Sequence, residues 1–378
     1  MNIVFTCGGT AGHINPAIAL AQLFRERQPD CRILFIGGKG GMEEDLLPRA
    51  GFELKTVKVS NFQRKISFSN LIHNLKALYY LVSSAVKVRK ILRDFHADVV
   101  VGMGGYASYP AMRQGARMGI PVLVHEANAM PGLTTRMIAP HADKIMVAFE
   151  ESRKFYRDPE EVAVVGMPVQ EAFLKASKEE MKAKLGLTGK KVILSAWGSL
   201  GARDMNRQME EFIRLESENP QFYHIHSTGK DAAQWMPEEI RAEGVKLEEH
   251  PELDIRPYIY NMTELMVAAD LMLSRAGASS LNEIAASGTP SIIVPSPNVT
   301  ANHQEKNARI LGDRGAAVVI RESECSGKLL YETAVQILND PARMESMSRA
   351  AKSAAVPDSA DRIYQYIMDA VKGHVNDN

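Results

Sequence analysis

Phe5-Thr6-Cys7-Gly8-Gly9-Thr10-Ala11-Gly12-His13 opens the chain, and Leu194-Ser195-Ala196-Trp197-Gly198-Ser199-Leu200-Gly201-Ala202-Arg203 opens its second half in the same way. Each stretch runs from an apolar strand through a glycine-rich turn into the start of a helix. Glycine suits such turns because the backbone must bend sharply and approach a ligand with no Cβ in the way. The helix start adds unpaired amides and the positive end of the helix dipole. Either loop can therefore hold a diphosphate. One such loop alone is equally explained as a tight strand-to-helix turn; its recurrence at the head of a second half is what gives it weight.

The surrounding sequence repeats the same rhythm. Short apolar runs at Ile3–Phe5, Ile33–Ile36, Val99–Val101, Val122–Val124 and Ile145–Ala148 alternate with longer amphipathic stretches, and the series restarts at Val192–Leu194, Tyr223–Ile225, Leu271–Leu273, Ile292–Val294 and Ala316–Ile320. Strands alternating with helices imply α/β domains with parallel sheets covered on both faces. A chain of 378 residues exceeds what one core supports. Val164-Val165-Gly166-Met167-Pro168-Val169 has the Gly and Pro of a crossover, so the first domain is expected to end at 165 and the second to start at 166.

Composition narrows the function classes. Forty-five basic residues balance forty-five acidic ones, which argues against a surface built wholly for nucleic acid. Cys7, Cys31 and Cys325 are odd in number and widely spaced, which fits a reducing compartment and no zinc cluster. Met1 leads straight into Asn2-Ile3-Val4-Phe5-Thr6 with no signal-peptide pattern, and the apolar run Ala77–Val82 is far too short to span a bilayer. Neither glycine loop is followed by Lys-Ser or Lys-Thr, and Gly8, Gly9 and Gly12 miss the dinucleotide spacing, with no acid near Ile36-Gly37-Gly38. There is no Asp-x-Asp, nor a His or Cys pair at ligand spacing, so neither a metal nor another cofactor is expected.

The candidate site residues follow from their places at strand and helix ends. His13 stands behind the first glycine loop, either donating to a phosphate or acting as general base. Glu126 and Asn128 end the run Val122-Leu123-Val124-His125, where open α/β sheets bind ligands; the alternative is that they cap the turn at Met130-Pro131-Gly132. In Ser274-Arg275-Ala276-Gly277-Ala278-Ser279-Ser280-Leu281-Asn282-Glu283 the amides of Ala278, Ser279 and Ser280 suit a diphosphate. Glu283 suits a ribose diol, or else balances the helix dipole. Gln304, in Asn302-His303-Gln304-Glu305, can donate and accept, which suits hexose hydroxyls, or it serves as a cap.

In order and spacing these motifs, together with Gly102-Met103-Gly104-Gly105-Tyr106 and Pro131-Gly132-Leu133-Thr134, resemble the MurG family over nearly the whole chain. These enzymes transfer N-acetylglucosamine from its UDP donor to undecaprenyl-diphosphate-linked muramyl-pentapeptide in peptidoglycan synthesis. The resemblance implies a GT-B fold: two Rossmann-like domains about a central cleft, with residues 1–165 for the acceptor and membrane, 166–344 for UDP-sugar, and a helical tail over 345–378 returning to the first. It places Thr10, Ala11 and Gly12 beside the sugar nucleotide, Asn128 on its sugar, Ser199 on the diphosphate and Ile259 on uracil. Ala278 to Glu283 take phosphate and ribose, Gln304 takes the N-acetylglucosamine hydroxyls, and Tyr106, Gln170, Arg275 and His303 complete the substrate-binding set. His13 is the first candidate base and Glu126 the second.

Three positions depart from the family pattern: Ala11 and Trp197 where Gly is usual, and Gln170 where Arg is common. The missing charge points to Arg275 or Arg203 as compensating cation. Two other readings fit parts of the sequence. A UDP-N-acetylglucosamine epimerase shares the architecture, and a non-catalytic UDP-sugar sensor would bind without turnover.

A lipid-linked acceptor also implies a peripheral position on the cytoplasmic face of the cell membrane. Within Phe62–Phe95, Leu71, Ile72, Leu75, Leu78, Tyr79 and Val82 form an apolar face among Arg64, Lys65, Lys76, Lys87, Arg89, Lys90 and Arg93. The later turns equally suit burial against a sheet, so the front end is expected to meet lipid. Replacing Arg64→Glu together with Lys65→Glu should weaken sedimentation with vesicles containing anionic lipid; unchanged binding would remove this segment as the anchor.

Overall fold

The computed structural model describes residues 1–59, 68–198, 202–299 and 302–376, and only the backbone of 68–79, 81, 82, 375 and 376. The chain forms two units, Met1–Val169 with Val356–Asn378, and Gln170–Ala355. The expected boundary at 165 and 166 therefore moves four residues onward, and the return to the first unit comes at Val356 rather than 345.

The first unit holds β1 (Asn2–Thr6), β2 (Arg32–Gly38), β3 (Glu53–Val57), β4 (Val99–Gly102), β5 (Val122–Glu126), β6 (Lys144–Val147) and β7 (Ala163–Val164). They pair in parallel in the order β3-β2-β1-β4-β5-β6-β7. Alternation along β1 feeds two cores. Ile3 and Phe5 join Leu20, Phe24 and Phe35 on one face, while Val4 joins Leu34, Val88, Leu92 and Val100 on the other. Burial of Val88, Leu92 and Phe95 fixes the later turns of the helix Phe68–Phe95 against the sheet. Lys87 Nζ donates to Thr56 O at 2.7 Å and Lys90 pairs with Asp94 at 2.6 Å, so two of the expected headgroup cations are already engaged. Arg64 and Lys65, and the side chains of Leu71, Ile72, Leu75, Lys76, Leu78, Tyr79 and Val82, lie outside the described residues. Among the described residues no helix is long and apolar enough to cross a membrane.

The second unit holds β8 (Val192–Ala196), β9 (Tyr223–Ser227), β10 (Leu253–Arg256), β11 (Leu271–Ser274), β12 (Ser291–Ile293) and β13 (Ala317–Val319), parallel and ordered β10-β9-β8-β11-β12-β13. Ile193, Leu271, Leu273 and Ile292 pack against Met205, Met209, Phe212 and Leu330 from the covering helices. Two Rossmann-like sheets in succession are the α/β, GT-B type of organisation that the family resemblance implies.

The tail is not one helix. Pro341–Ala354 packs within the second unit, and Ser359–Asn376 packs in the first through Ile363 and Ile367, with Tyr364 4.6 Å from the Phe24 ring. Pro357 lies in the break, where its ring and missing N–H cannot continue a helix.

The core of the second unit contains a polar chain. Glu216, fully buried, meets His224 Nδ1 at 2.6 Å; His224 Nε2 and His226 Nδ1 each lie 2.7 Å from Ser195 Oγ. Burial, then the neighbouring His224, pushes His226 down to about 3 from its ordinary 6.5. A group whose folded pKa is depressed supplies stability above the unfolded pKa and loses it as pH falls toward the folded one. Urea unfolding should thus show about 2 kcal/mol lost to this group between pH 6.5 and 5. His226→Gln should flatten that acid limb, and an unchanged slope would show that His226 titrates normally.

Candidate active site

In each sheet the strand order reverses beside the first strand of the unit, between β1 and β4 and between β8 and β11. Loops leaving such neighbours diverge to opposite faces and open a crevice at the carboxyl ends, where open α/β sheets take ligands.

In the first unit, the loops after β1 and β4 press together backbone to backbone. A Cβ on Gly105, at φ 84°, would overlap Gly8 O, and one on Gly104, at φ 101°, would lie 2.6 Å from His13 Cδ2. Only glycine permits both the positive φ and the approach. The helix Ala11–Arg27 starts behind Thr10, whose hydroxyl caps no amide and instead lies 3.2 Å from His13 Nδ1. Thr10 and Gly104 together fix the imidazole. Tyr106, about half exposed, lies over Gly9, its Cε1 3.6 Å from where a Cβ would stand. The structure thus groups Thr10, Ala11, Gly12, His13 and Tyr106.

Glu126 behaves as a builder of the loop after β5. Its Oε1 accepts from Asn128 N at 2.9 Å and Asn128 Nδ2 at 3.0 Å; its Oε2 accepts from Gly132 N at 2.9 Å and Thr135 Oγ1 at 2.6 Å. Four donors occupy both oxygens of this buried carboxylate, so the structure gives Glu126 the place of a loop-building residue and not the open position expected of a second base. What it does is hold the Asn128 amide in place. His125, also buried, lies with Nε2 2.7 Å from Gly166 O, and burial lowers its pKa, so it ties β5 to the segment leaving the unit.

In the second unit, Gly277 precedes the helix Ala278–Ser287, whose first-turn amides at Ala278, Ser279 and Ser280 have no acceptors within the helix. Glu283 is half-buried, and among the described residues its carboxyl has neither a hydrogen bond nor an ion pair; burial alone pushes it up to about 7. Gln304, on the helix His303–Gly312, accepts at Oε1 from Ala276 N at 3.2 Å and Ser296 N at 2.9 Å, and Asn307 Nδ2 donates to Ala276 O at 3.2 Å. The loops after β11 and β12 are stapled together by this helix. Gln304 is therefore not the two-way reader expected from sequence, since its carbonyl is committed and its NH₂ alone is left to donate.

The compensating cations also change. Arg275 pairs with Glu322 and donates to Val294 O at 3.2 Å, with its side chain 12% exposed, and Arg203 lies 5.8 Å over the Trp235 ring. Gln170 is exposed and accepts from Thr263 Oγ1 at 3.0 Å. Lys230, one residue past Gly229 beyond β9, is exposed with no partner among the described residues. Ile259, buried, sits between exposed Tyr258 and Tyr260, whose rings are 4.8 Å apart. His303 begins the stapling helix, and Ser199 lies outside the described residues.

Residues 3–147 match the glycosyltransferase family 28 N-terminal domain, and residues 192–363 match the family 28 C-terminal domain. The chain is 39% identical over 98% of its length, and 99% of the relative's, to the UDP-N-acetylglucosamine–N-acetylmuramyl-(pentapeptide) pyrophosphoryl-undecaprenol N-acetylglucosamine transferase of Acetivibrio thermocellus. It is 40% identical, over 97% and 99%, to the enzyme of that name from Caldanaerobacter subterraneus. Among solved structures, Acinetobacter baumannii MurG superposes with TM-score 0.74 at 23% identity, covering 97% of this chain and 99% of that one. A putative UDP-N-acetylglucosamine 2-epimerase from Listeria monocytogenes superposes with TM-score 0.69 at 13% identity over 100% and 97%, a likeness of fold.

A carboxyl raised by burial is protonated in the fold at a pH where it is ionised in the unfolded chain. Its favourable contribution is complete below the ordinary 4.5 and is lost as pH rises through about 7. Side-chain carbon NMR of Glu283 should show a midpoint near 7; a midpoint near 4.5 would mean that water reaches the group freely.

Proposed function

The chain belongs to the family of UDP-N-acetylglucosamine–N-acetylmuramyl-(pentapeptide) pyrophosphoryl-undecaprenol N-acetylglucosamine transferases, and we propose that it performs their reaction. It is a glycosyltransferase that moves N-acetylglucosamine from UDP-N-acetylglucosamine to the lipid-linked muramyl-pentapeptide. The acceptor's 4-hydroxyl attacks the anomeric carbon of the donor, the bond to the diphosphate oxygen breaks with its electron pair leaving on UDP, and the configuration inverts to β. The hydroxyl proton passes to a base.

His13 is that base. With Nδ1–H donating to Thr10 Oγ1, the lone pair lies on Nε2, the nitrogen that Gly104 flanks; the alternative tautomer would leave Nε2 a donor. Asn128, aimed by Glu126, touches the transferred sugar. In the second unit the first-turn amides of the helix Ala278–Ser287 receive the diphosphate, where the dipole stabilises the charge developing on the leaving group. Ile259 takes uracil, Gln304 donates to a sugar hydroxyl, and Ser199, Tyr106, Gln170 and His303 line the substrates.

One observation carries the donor half of this reading: a half-buried carboxyl, Glu283, with no partner among the described residues, in the helix Ala278–Ser287 that follows the Gly277 turn. Two vicinal ribose hydroxyls would satisfy its oxygens and make its ionisation favourable. The acceptor's polyprenyl chain supports a peripheral station at the inner membrane surface.

The assay is incubation with labelled UDP-N-acetylglucosamine and a short-chain lipid-linked acceptor, scoring label in the lipid product. His13→Ala should lower turnover by about 10²- to 10⁴-fold with UDP affinity preserved. A loss of only a few-fold, about one pKa unit's worth of free energy or less, would reassign it to binding. Epimerised UDP-sugar formed without acceptor would overturn transfer in favour of the epimerase reading.

A further inference from the structure

Glu43 starts the helix Glu43–Arg49 with its side chain turned inward, 1% exposed. Its Oε1 accepts from Gly38 N at 2.8 Å, and its Oε2 lies 3.5 Å from Gly9 N. No cationic side chain pairs with it among the described residues. Glycines surround it. A Cβ on Gly8 would fall 2.5 Å from Oε1, one on Gly37 2.8 Å from Cγ, one on Gly38 3.2 Å from Oε1, and one on Gly41 would overlap Oε2. Gly37, Gly38 and Gly41 do not take part in the first glycine loop, and Gly37 and Gly41 have no positive φ to explain them. The carboxylate explains all three, since each clears room for it.

Burying a carboxylate costs several kcal/mol unless donors compensate it. The chain nevertheless places one directly behind the Gly8–Gly9 turn. Gly105 and Tyr106 also meet that turn, Gly105 packed on Gly8 O and Tyr106 over Gly9. The loop that ends in Thr10 and presents His13 is therefore held by contacts with a buried carboxyl and with a second glycine turn.

We infer that Glu43 is a positioning residue for sugar transfer, holding the Gly8–Gly9 turn in the conformation that aims Thr10 and His13. The inference rests on the transferase reading above. Glu43 touches no substrate. It acts by drawing the Gly9 amide inward, which sets the direction in which the chain enters the helix Ala11–Arg27 and hence the position of its third residue, His13. Displacements of the order of 1 Å at reacting groups are costly to rate, so the effect falls on kcat and on the acceptor. The donor helix Ala278–Ser287 belongs to the other unit and should be untouched.

The test uses the full chain with UDP-N-acetylglucosamine and the short-chain lipid-linked acceptor. Glu43→Gln keeps the shape, but its NH₂ must face either the Gly38 or the Gly9 amide. It should lower kcat by about tenfold or more and raise the acceptor KM, while UDP affinity by calorimetry stays within about twofold of wild type. Gly41→Ala, which pushes on Oε2 and leaves the charge intact, should give the same split, and it serves if Glu43→Gln does not fold. Transfer by both variants within about twofold of wild type, or a fall in Tm alone with kcat unchanged, would overturn the inference while leaving the transferase reading standing. No transfer by the wild-type chain would overturn both.

Discussion

The approach of Gly105 to the Gly8 carbonyl is the contact on which the first unit's site depends. β1 and β4 are paired from Ile3 with Val99 to Thr6 with Gly102, so their chains leave the sheet side by side. Without side chains at 8, 9, 104 and 105, the two exits can share one small volume and His13 can stand at its edge. The second unit solves the same problem differently. There the exits of β11 and β12 are held together by side chains, Gln304 and Asn307, which grip the Ala276 amide and carbonyl. The first unit's loops are close because they are bare, and the second unit's because they are bonded.

That difference suits the two ligands proposed for them. A diphosphate needs fixed amides at a helix start, and the grip on Ala276 fixes the turn that enters the helix Ala278–Ser287. An acceptor hydroxyl needs one lone pair at the right spot, and the Thr10 hydroxyl and the Gly104 backbone bracket a single imidazole. The positive φ of Gly104 and Gly105 belongs to that bracket and is accessible without strain only to glycine.

The central strands were legible because both their faces are buried, which writes them as continuous apolar runs. β3, β7 and β10 were not, and all three are sheet edges. In β3, Glu53-Leu54-Lys55-Thr56-Val57 mixes polar with apolar residues and has no continuous apolar run, and β7 is only two residues long. The break in the tail was signalled by Pro357, yet helical periodicity on either side masked it. Within the candidate site, residue type and strand-end position were enough to single out His13, Glu126, Asn128, Glu283 and Gln304 as candidates. They could not tell which oxygens were already committed. Gln304 looks the same in sequence whether its carbonyl is open or bonded to Ala276 and Ser296, because both partners are backbone amides that any residue supplies.

Counting donors therefore separates the carboxylates better than their positions do. Glu126 has four and builds a loop; Glu43 has one short contact and one long, within walls of glycine; Glu283 has none among the described residues. A buried carboxyl must be bonded or neutral, because the interior does not tolerate a bare charge. Glu126 and Glu43 meet that demand with amides the protein provides. Glu283, half-buried, meets it by the other route, since burial pushes its pKa up to about 7. Vicinal hydroxyls of a ligand would offer that carboxyl the donors that the described residues do not, which is the local argument for reading the start of the helix Ala278–Ser287 as a place for a sugar.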